Sequence, residues 1–295
     1  MQMNRRDFLK VSIPVTGLSV LGGVLIPKIA RAEGSTTSLQ NKTGKALLYD
    51  SSKCIGCRAC EAACRKSNKL PVEAKPEELS ARSWTVVKSF ELETENDVEK
   101  VFLKRQCMHC AKASCVAVCP AGAAAYNGEF VIINQEKCTG CGYCVEACPF
   151  DVPHRDESGG TAKKCTFCID RVKQGLKTAC VAACPVGAIQ MGNREELVAQ
   201  GKDRVQALLD SGIKEANLYG ESVLGGLGVL YVLVKPPLFY QLPEVPRQAT
   251  ENVFTQWLSG IATAGLLMAV PFGLLFGRKQ EVEKKQKSKV TGEVK

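Results

Sequence analysis

The stretch Cys138-Thr139-Gly140-Cys141-Gly142-Tyr143-Cys144-Val145-Glu146-Ala147-Cys148 decides the fold of this 295-residue chain. Its four cysteines follow the spacing C-x2-C-x2-C-x3-C. The same spacing occurs earlier in the chain, in Cys54, Cys57, Cys60 and Cys64. Two related groups hold the other cysteines: Cys107, Cys110, Cys115 and Cys119 follow C-x2-C-x4-C-x3-C, and Cys165, Cys168, Cys180 and Cys184 follow C-x2-C-x11-C-x3-C. All sixteen cysteines therefore fall into four groups, numbered one to four in chain order.

This spacing indicates iron-sulfur chemistry. In bacterial ferredoxins, C-x2-C-x2-C-x3-C supplies three thiolates to one cubane cluster and the fourth to a second cluster. Zinc sites usually pair two C-x2-C knuckles, and disulfide frameworks are typical of small secreted domains. Neither alternative explains why the same four-cysteine run occurs twice. The cysteines therefore predict four [4Fe-4S] clusters, with all sixteen thiolates as iron ligands.

An internal repeat shows which groups are of one kind. Lys53-Cys54-Ile55-Gly56-Cys57 recurs as Lys137-Cys138-Thr139-Gly140-Cys141, so groups one and three correspond. Cys115-Val116-Ala117-Val118-Cys119-Pro120 recurs as Cys180-Val181-Ala182-Ala183-Cys184-Pro185, so groups two and four correspond. The order along the chain is therefore first kind, second kind, first kind, second kind.

Groups two and three are joined by residues 120–137. This connection holds a hairpin signal at Tyr126-Asn127-Gly128 and a strand-like segment at 130–133, as in the middle of a two-cluster ferredoxin. By the repeat, group four should then pair with group one around this inner unit. The predicted fold class is α+β, with two nested ferredoxin-like two-cluster units, a cleaved N-terminal signal and one C-terminal transmembrane helix.

The fourth-cysteine rule assigns the ligands of the nested scheme. The sets are Cys54, Cys57, Cys60 and Cys184 for cluster one; Cys64, Cys165, Cys168 and Cys180 for cluster two; Cys107, Cys110, Cys115 and Cys148 for cluster three; and Cys119, Cys138, Cys141 and Cys144 for cluster four. A competing scheme pairs sequence neighbours, group one with two and group three with four. The sequence leaves both schemes open.

The N-terminus has the pattern of an export signal. Residues 4–10 contain the pair Arg5-Arg6, residues 11–26 are apolar, and Ala30-Arg31-Ala32 has small residues at a cleavage position. This resembles a twin-arginine signal peptide that is cleaved after Ala32. The route carries folded proteins, which suits clusters assembled in the cytoplasm. A basic anchoring helix is the alternative.

Near the other end, residues 253–277 contain no charged side chain and are followed by a basic tail. At 1.5 Å per residue, a helix of this length can cross a bilayer core of about 30 Å. The positive-inside rule places the tail in the cytoplasm and the cysteine-bearing part on the outer face. A buried core helix is the alternative.

The predicted domain organisation follows from these segments. It consists of a signal peptide at 1–32, a four-cluster domain at 33–190, an extension and linker at 191–252, a transmembrane helix at 253–277 and a cytoplasmic basic tail at 278–295. The extension carries no chemical motif. Within it, residues 202–209 have helical periodicity, 223–234 suggest a buried strand or hairpin, and the prolines from Pro236 to Pro246 suggest an extended linker.

Charge and motifs exclude other classes of function. The net charge of +9 is concentrated in residues 1–32 and 278–295, each at +4, so the rest of the chain is nearly neutral. Without a basic stripe, and with 6% aromatic residues, the sequence argues against nucleic-acid binding. His109 and His154 are expected to be supporting or surface residues, and no catalytic residue is predicted.

The cysteine region, residues 47–188, resembles the four-cluster ferredoxin-type subunits of membrane-bound oxidoreductases. With Leu48-Tyr49-Asp50 and Lys104-Arg105-Gln106-Cys107-Met108-His109-Cys110, it is most similar to the HybA-type subunits of the periplasmic hydrogenase-2 family. One departure is Arg65 after the first group, where the other groups end in Cys-Pro.

The resemblance implies a non-catalytic electron-transfer subunit on the periplasmic face of the cytoplasmic membrane. Its implied partners are the large and small subunits of a nickel-iron hydrogenase and a multi-span subunit that exchanges electrons with menaquinone. The alternative is the beta subunit of a membrane-anchored formate dehydrogenase or another molybdenum oxidoreductase. A diffusing redox shuttle and a cluster-bearing sensor are further hypotheses, disfavoured by the membrane span and by the lack of an output domain.

Overall fold

The computed structural model describes residues 44–72, 76–93, 98–156, 160–251 and 253–292, so the predicted signal peptide lies outside the described residues. In chain order its elements are β1 (Lys45–Asp50), α1 (Ala59–Ser67), β2 (Thr85–Glu93), β3 (Val98–Gln106), α2 (Ser114–Ala117), β4 (Ala124–Asn127), β5 (Phe130–Ile133), α3 (Tyr143–Glu146), α4 (Ile169–Lys173), α5 (Ala179–Ala182), β6 (Ile189–Asn193), α6 (Arg194–Asp210), β7 (Asn217–Tyr219), β8 (Val229–Leu233) and α7 (Val253–Gly292). Helix and strand content is mixed, as predicted.

A four-stranded sheet with the order β6-β1-β8-β7 forms the main core. β1 pairs with β6 antiparallel and with β8 parallel, so that Leu47 lies opposite both Met191 and Val229. Every residue of β8 is buried, as expected for a central strand with both faces covered. The apolar segment 223–234 thus contains the predicted buried strand.

Two hairpins flank the cysteine groups. β2 and β3 pair antiparallel along their length, and β4 pairs with β5 through the turn Gly128-Glu129. Gly128 has φ 60°, a conformation that favours glycine in a two-residue hairpin turn. The hairpin predicted between groups two and three is confirmed.

The short helices pack in two pairs, α1 against α5 and α2 against α3. α1 belongs to group one and α5 to group four, whereas α2 and α3 belong to groups two and three. Pairing of β1 with β6 also joins the chain before group one to the chain after group four. The two ends of the cysteine region therefore meet, with groups two and three between them in sequence.

The region after the last cysteine group contributes to the same core. α6 begins where the side chain of Asn193 accepts a hydrogen bond from the Glu195 N–H at 2.9 Å, and it packs on β1 and β8. It includes the predicted helical segment 202–209. The proline-containing segment differs from the extended linker expected, because Pro237–Tyr240 forms a 3₁₀ turn that buries Tyr240.

α7 is long and apolar enough to cross a membrane. The span of residues that meets these criteria is Gln256–Lys285, with a mean hydropathy of 1.9 and none of its side chains buried. The helix continues beyond the predicted end at residue 277 because nothing between Arg278 and Gly292 breaks it. Exposure on all sides argues against the buried-core alternative.

The loop between β7 and β8, residues 220–228, supports the second cysteine group. The Lys112 N–H donates to the carbonyl of Leu224 at 2.8 Å, and the Gly228 N–H donates to the carbonyl of Met108 at 2.9 Å. The loop thus binds the backbone on both sides of Cys110. A segment without a chemical motif holds one of the cysteine groups in place.

Arg194 fixes this loop from the opposite side. Its buried guanidinium donates from Nε to the carbonyl of Leu227 at 3.0 Å, and from Nη2 to the carbonyls of Gly220 at 3.2 Å and Glu221 at 2.7 Å. Charge-assisted bonds of this kind are stronger than neutral ones. The start of α6 therefore holds the loop against the cysteine region.

Gly228→Ala should destabilise the protein, because the added Cβ would lie 3.0 Å from the Cβ and 3.2 Å from the carbonyl oxygen of His109. Such overpacking costs about 1–3 kcal/mol, which lowers the melting temperature by about 2–4 °C per kcal/mol. Circular dichroism on heating measures the change. The control is Gly160→Ala, whose Cβ would approach Asp156 no closer than 3.8 Å. Equal melting temperatures for the two variants would contradict the prediction.

Candidate iron-sulfur sites

All sixteen cysteines are free thiols, so the structure does not support the disulfide alternative. Among the described residues, no three His, Cys, Asp or Glu side chains converge closely enough to hold one metal ion. A tetrahedral zinc site requires such convergence on one ion, whereas the thiolates of a cubane bind different irons. The geometry suits clusters better than single ions.

Site 1 is a cavity of about 330 Å³ beside the start of α1. Its lining includes Cys54, Cys57, Cys60 and Cys184. The loop before α1 turns at Gly56, which has φ 69° and lies against the ring of Phe102, where a Cβ would come within 2.4 Å. Close contact with this ring fixes the path of the loop around the cavity.

Site 2 is a cavity of about 340 Å³ below the other end of α1. Its lining includes Cys64, Cys165, Cys168 and Cys180. Cys60 and Cys64 are four residues apart on α1, yet Cys60 lines site 1 and Cys64 lines site 2. One helical turn thus supplies both sites, in line with the fourth-cysteine rule.

Site 3 is a cavity of about 360 Å³ beside α2. Its lining includes Cys107, Cys110, Cys115 and Cys148. Cys110 also forms an isolated β-bridge with Leu227 in the loop 220–228. The second cysteine group is thus held both by α2 and by this loop.

Site 4 is formed by the remaining thiols, Cys119, Cys138, Cys141 and Cys144. Burial raises the pKa of Cys144, and the charges of Cys138, Cys119 and Cys141 raise it further. Cys144 belongs to a buried cluster against which Cys138 packs. Three of the sets that the nested scheme selects thus each line one cavity, and the thiols of the fourth set interact with one another. The structure does not bring each sequence group together around its own cavity.

Two of the sixteen thiols are exposed, Cys57 in site 1 and Cys141 in site 4. Burial raises the pKa of Cys60, Cys64 and Cys115 to about 12, and that of Cys148 to about 11. A cysteine thiol must lose its proton to bind a metal as a thiolate. A positively charged metal core would stabilise the thiolates that burial alone disfavours.

Donor groups point at several sulfur atoms. The Ala124 N–H donates to Cys119 Sγ, the Ala162 N–H to Cys138 Sγ and the Phe167 N–H to Cys165 Sγ, each at 3.4 Å. Asn68 Nδ2 donates to Cys64 Sγ at 3.5 Å. Such bonds stabilise negative charge on sulfur and are one means by which proteins adjust cluster potentials.

Two buried lysines lie among the thiols, and no sequence pattern predicted either of them. Lys104 lines site 2 and Lys164 lines site 3. Burial acts to lower the pKa of each ammonium, but neighbouring thiolates outweigh it and raise the pKa of both. Successive side chains of a strand point to opposite faces, so Lys104 on β3 should be exposed if its neighbour Leu103 is buried. Both residues are buried.

The two histidines lie in different environments. His109 is buried, accepts a hydrogen bond from the Val131 N–H at 3.2 Å and packs edge-on against Phe167. Burial and the charge of Lys164 hold the pKa of His109 well below its ordinary value, so its ring is neutral. His154 contacts the carbonyl of Asp151 at 3.2 Å.

Two models of the family described as "4Fe-4S dicluster domain" match the chain, one at residues 53–123 and the other at 98–194. Together they contain all sixteen cysteines. Two dicluster domains and four sets of four thiols account for four [4Fe-4S] clusters.

Curated relatives extend the match beyond the cysteine region. The chain is 40% identical to the formate dehydrogenase-O iron-sulfur subunit of Escherichia coli K12, over 68% of this chain and 72% of the relative. It is 37% identical to the nitrate-inducible formate dehydrogenase iron-sulfur subunit of the same organism, over 80% and 84%. It is 32% identical to the hydrogenase-2 operon protein HybA of Escherichia coli O157:H7, over 84% and 86%. The chain therefore belongs to the family of ferredoxin-like iron-sulfur electron-transfer subunits that includes HybA and the iron-sulfur subunits of formate dehydrogenases.

Proposed function

We propose that this chain relays single electrons through four clusters between a periplasmic catalytic subunit and a quinone-reactive membrane subunit. One observation carries the proposal: the two exposed thiols, Cys57 and Cys141, belong to different sites, and the other two sites have no exposed thiol. A protein that relays electrons needs one exposed cluster where electrons enter and another where they leave. A storage or structural protein has no such requirement.

The proposed ligands are the four thiols of each site, cluster one in site 1 through cluster four in site 4. Each bound cluster supplies one-electron redox chemistry. The chain holds the thiolates in a fixed geometry, donates hydrogen bonds to their sulfur atoms and leaves no cysteine of sites 2 and 3 exposed. The ferredoxin unit of groups two and three is then nested within the unit of groups one and four, as pairing of β1 with β6 suggests.

Electrostatic interactions between thiols of different sites suggest the order of the relay. Besides burial, the charge of Cys180 of site 2 raises the pKa of Cys60 in site 1. Burial raises the pKa of Cys165 in site 2, and Cys107 of site 3 adds to the effect. Burial likewise raises the pKa of Cys115 in site 3, with a contribution from Cys144 of site 4.

These electrostatic interactions link neighbouring sites in the order 1-2-3-4. The ends of this order are the two sites with an exposed thiol. Cys57 would face one redox partner and Cys141 the other.

The membrane end of the relay is proposed to be site 4. The Ala249 N–H, four residues before α7, donates to Ser114 Oγ at 3.1 Å. Ser114 begins α2, whose Cys115 lines site 3 and whose C-terminal end leads to Cys119 of site 4. The chain thus enters α7 beside sites 3 and 4, which leaves site 1 for the catalytic partner.

Localisation is proposed from the ends of the chain. The twin-arginine pattern before residue 32 favours export of the folded protein, and the basic residues after 277 favour a cytoplasmic end of α7. The domain arrangement proposed is therefore the predicted one. It consists of a cleaved signal at 1–32, clusters within 33–190, an extension at 191–252, a membrane helix from 253 and a basic tail from 278.

The proposed catalytic partner is a nickel-iron hydrogenase with its large and small subunits. The motif around Cys107 favours this assignment. The second candidate is a molybdenum formate dehydrogenase, which the identities of 40% and 37% to formate dehydrogenase subunits support. Either enzyme delivers electrons that must reach the membrane, so the role of this chain is the same.

Affinity purification of the full-length chain from membranes tests the proposed partner. Hydrogenase large and small subunits should co-purify, and loss of this chain should abolish hydrogen-dependent quinone reduction but leave dye reduction by the catalytic subunit. Co-purification of a molybdenum subunit with formate-dependent quinone reduction would establish the second candidate instead. If neither activity depends on this chain, the relay proposal is wrong.

Cysteine variants test the ligand sets. Cys184→Ser and Cys57→Ser should alter the same spectroscopic centre in electron paramagnetic resonance, because both thiols belong to site 1. Cys168→Ser should alter a different centre, in site 2. The opposite result, one common centre for Cys184→Ser and Cys168→Ser, would support pairing of sequence neighbours.

Truncation tests the anchor. A chain that ends at Glu251 should be soluble when produced without partners and should keep about four irons per cluster, since all sixteen cysteines remain. The matched control ends at Gly277, which removes the basic tail but keeps the apolar helix, and it should stay in the membrane. Membrane retention of the shorter chain would place the anchor elsewhere.

A further inference from the structure

Lys104 and Lys164 are buried charges without a carboxylate partner in the described part of the chain. Their exposed fractions are 1% and 4%, and neither forms an ion pair there. Lys104 Nζ donates to the side-chain oxygen of Gln106, and Lys164 Nζ donates to the carbonyls of Val131 and Cys165. These acceptors are neutral. Burying an ion costs several kcal/mol unless an opposite charge compensates it.

The nearest buried carboxylate does not supply that charge. Glu61 is buried and interacts weakly with Lys104, but its Oε1 accepts a hydrogen bond from the Val87 N–H at 2.6 Å and lies 3.9 Å from Arg58 Nε. It is therefore already paired. The compensating charge must come from elsewhere in the interior.

Both lysines lie where two proposed clusters meet. Lys104 lines site 2 beside Cys165 and Cys180, and the charge of Cys60 in site 1 also acts on its pKa. Lys164 lines site 3 beside Cys107 and Cys115, and its Nζ donates to the carbonyl of Cys165 of site 2 at 3.1 Å. The two charges therefore flank site 2 along the proposed relay.

A cubane with four thiolates carries a net negative charge, and reduction by one electron makes it more negative. Burial disfavours the more negative state, so a cluster far from water is harder to reduce than one near the surface. Sites 1 and 4 each have an exposed thiol, whereas sites 2 and 3 have none. A relay with equal ligands at all four sites would therefore contain two interior clusters of low potential.

We propose that Lys104 and Lys164 are the counter-charges of the buried clusters and raise the reduction potentials of the interior ones, so that electrons pass through sites 2 and 3. Lys104 acts on clusters one and two, and Lys164 on clusters two and three. These are positioning residues that act through the field on each cluster. The inference depends on the proposed ligand sets but not on the identity of the catalytic partner.

The test is a redox titration of the full-length, anaerobically purified protein, monitored by electron paramagnetic resonance, with iron and sulfide counted for each variant. Lys104→Met should lower the ratio of reduced to oxidised cluster at fixed potential about tenfold in centres one and two, which corresponds to about 59 mV. Lys164→Met should do the same in centres two and three. Lys104→Arg, which keeps the charge, should retain the original potentials.

Lys137→Met is the matched control for Lys164→Met. Lys137 also directly precedes a cysteine of a proposed cluster, but its side chain is exposed, so solvent screens its charge. Its loss should leave all potentials unchanged. The titration uses a chemical reductant and no partner enzyme, so a wrong hydrogenase assignment cannot change its result.

Variants that bind iron poorly are also informative. Lys104→Gln keeps a hydrogen-bonding group without the charge and serves as a second neutral variant. If both neutral variants lose iron while Lys104→Arg keeps it, the charge is required and the proposal is supported. The proposal is wrong if any neutral variant that binds all its iron keeps the original potentials. It is also wrong if Lys104→Gln binds all its iron at the original potentials while Lys104→Arg does not bind it.

Discussion

The fold depends on the four-residue spacing between the last two cysteines of each group. Four residues are about one helical turn, so Cys60 and Cys64 on α1 lie on one face but about 6 Å apart along the axis. Each thiol therefore reaches a different site. Because every group ends in this way, each group in the proposed scheme completes its site with a thiol from a group of the other kind.

Pairing of helices satisfies this requirement twice. α1 packs against α5, and their four terminal cysteines are shared between sites 1 and 2. α2 packs against α3, and their cysteines are shared between sites 3 and 4. β1 and β6 fix the first pair by joining the chain outside it. The main role of the sheet is therefore to hold together the two ends of the outer unit.

Local signals predicted local structure well. The Asn127-Gly128 pair predicted the β4–β5 hairpin, and the apolar run at 253–277 predicted α7, although the helix extends to Gly292. The nested ligand sets remain a prediction from the spacing of ferredoxin runs, and the cavities lined by three of these sets agree with it. By contrast, the parallel pairing of β1 with β8 joins residues far apart in the chain and leaves no periodic signature.

The buried charges were likewise not predictable, because their surroundings come from residues far apart in the chain. Arg194 is buried because carbonyls of the loop 220–228 surround it, and Lys104 is buried because β3 crosses the cluster region. Neither environment can be inferred from neighbouring residues in sequence. A lysine in a strand otherwise indicates a solvated face, as the exposed Lys100 of β3 does.

The interior of this protein is therefore polar in a specific way. Thiols with raised pKa values, N–H donors aimed at sulfur and two lysines occupy space that an ordinary core fills with apolar side chains. These groups are costly to bury separately, since each is a donor or a charge that has lost contact with water. Together with anionic clusters they compensate one another, so stability and electron transfer depend on the same charges. Loss of a cluster would then leave the charge of the lysine beside it uncompensated. The fold should therefore be least stable around sites 2 and 3.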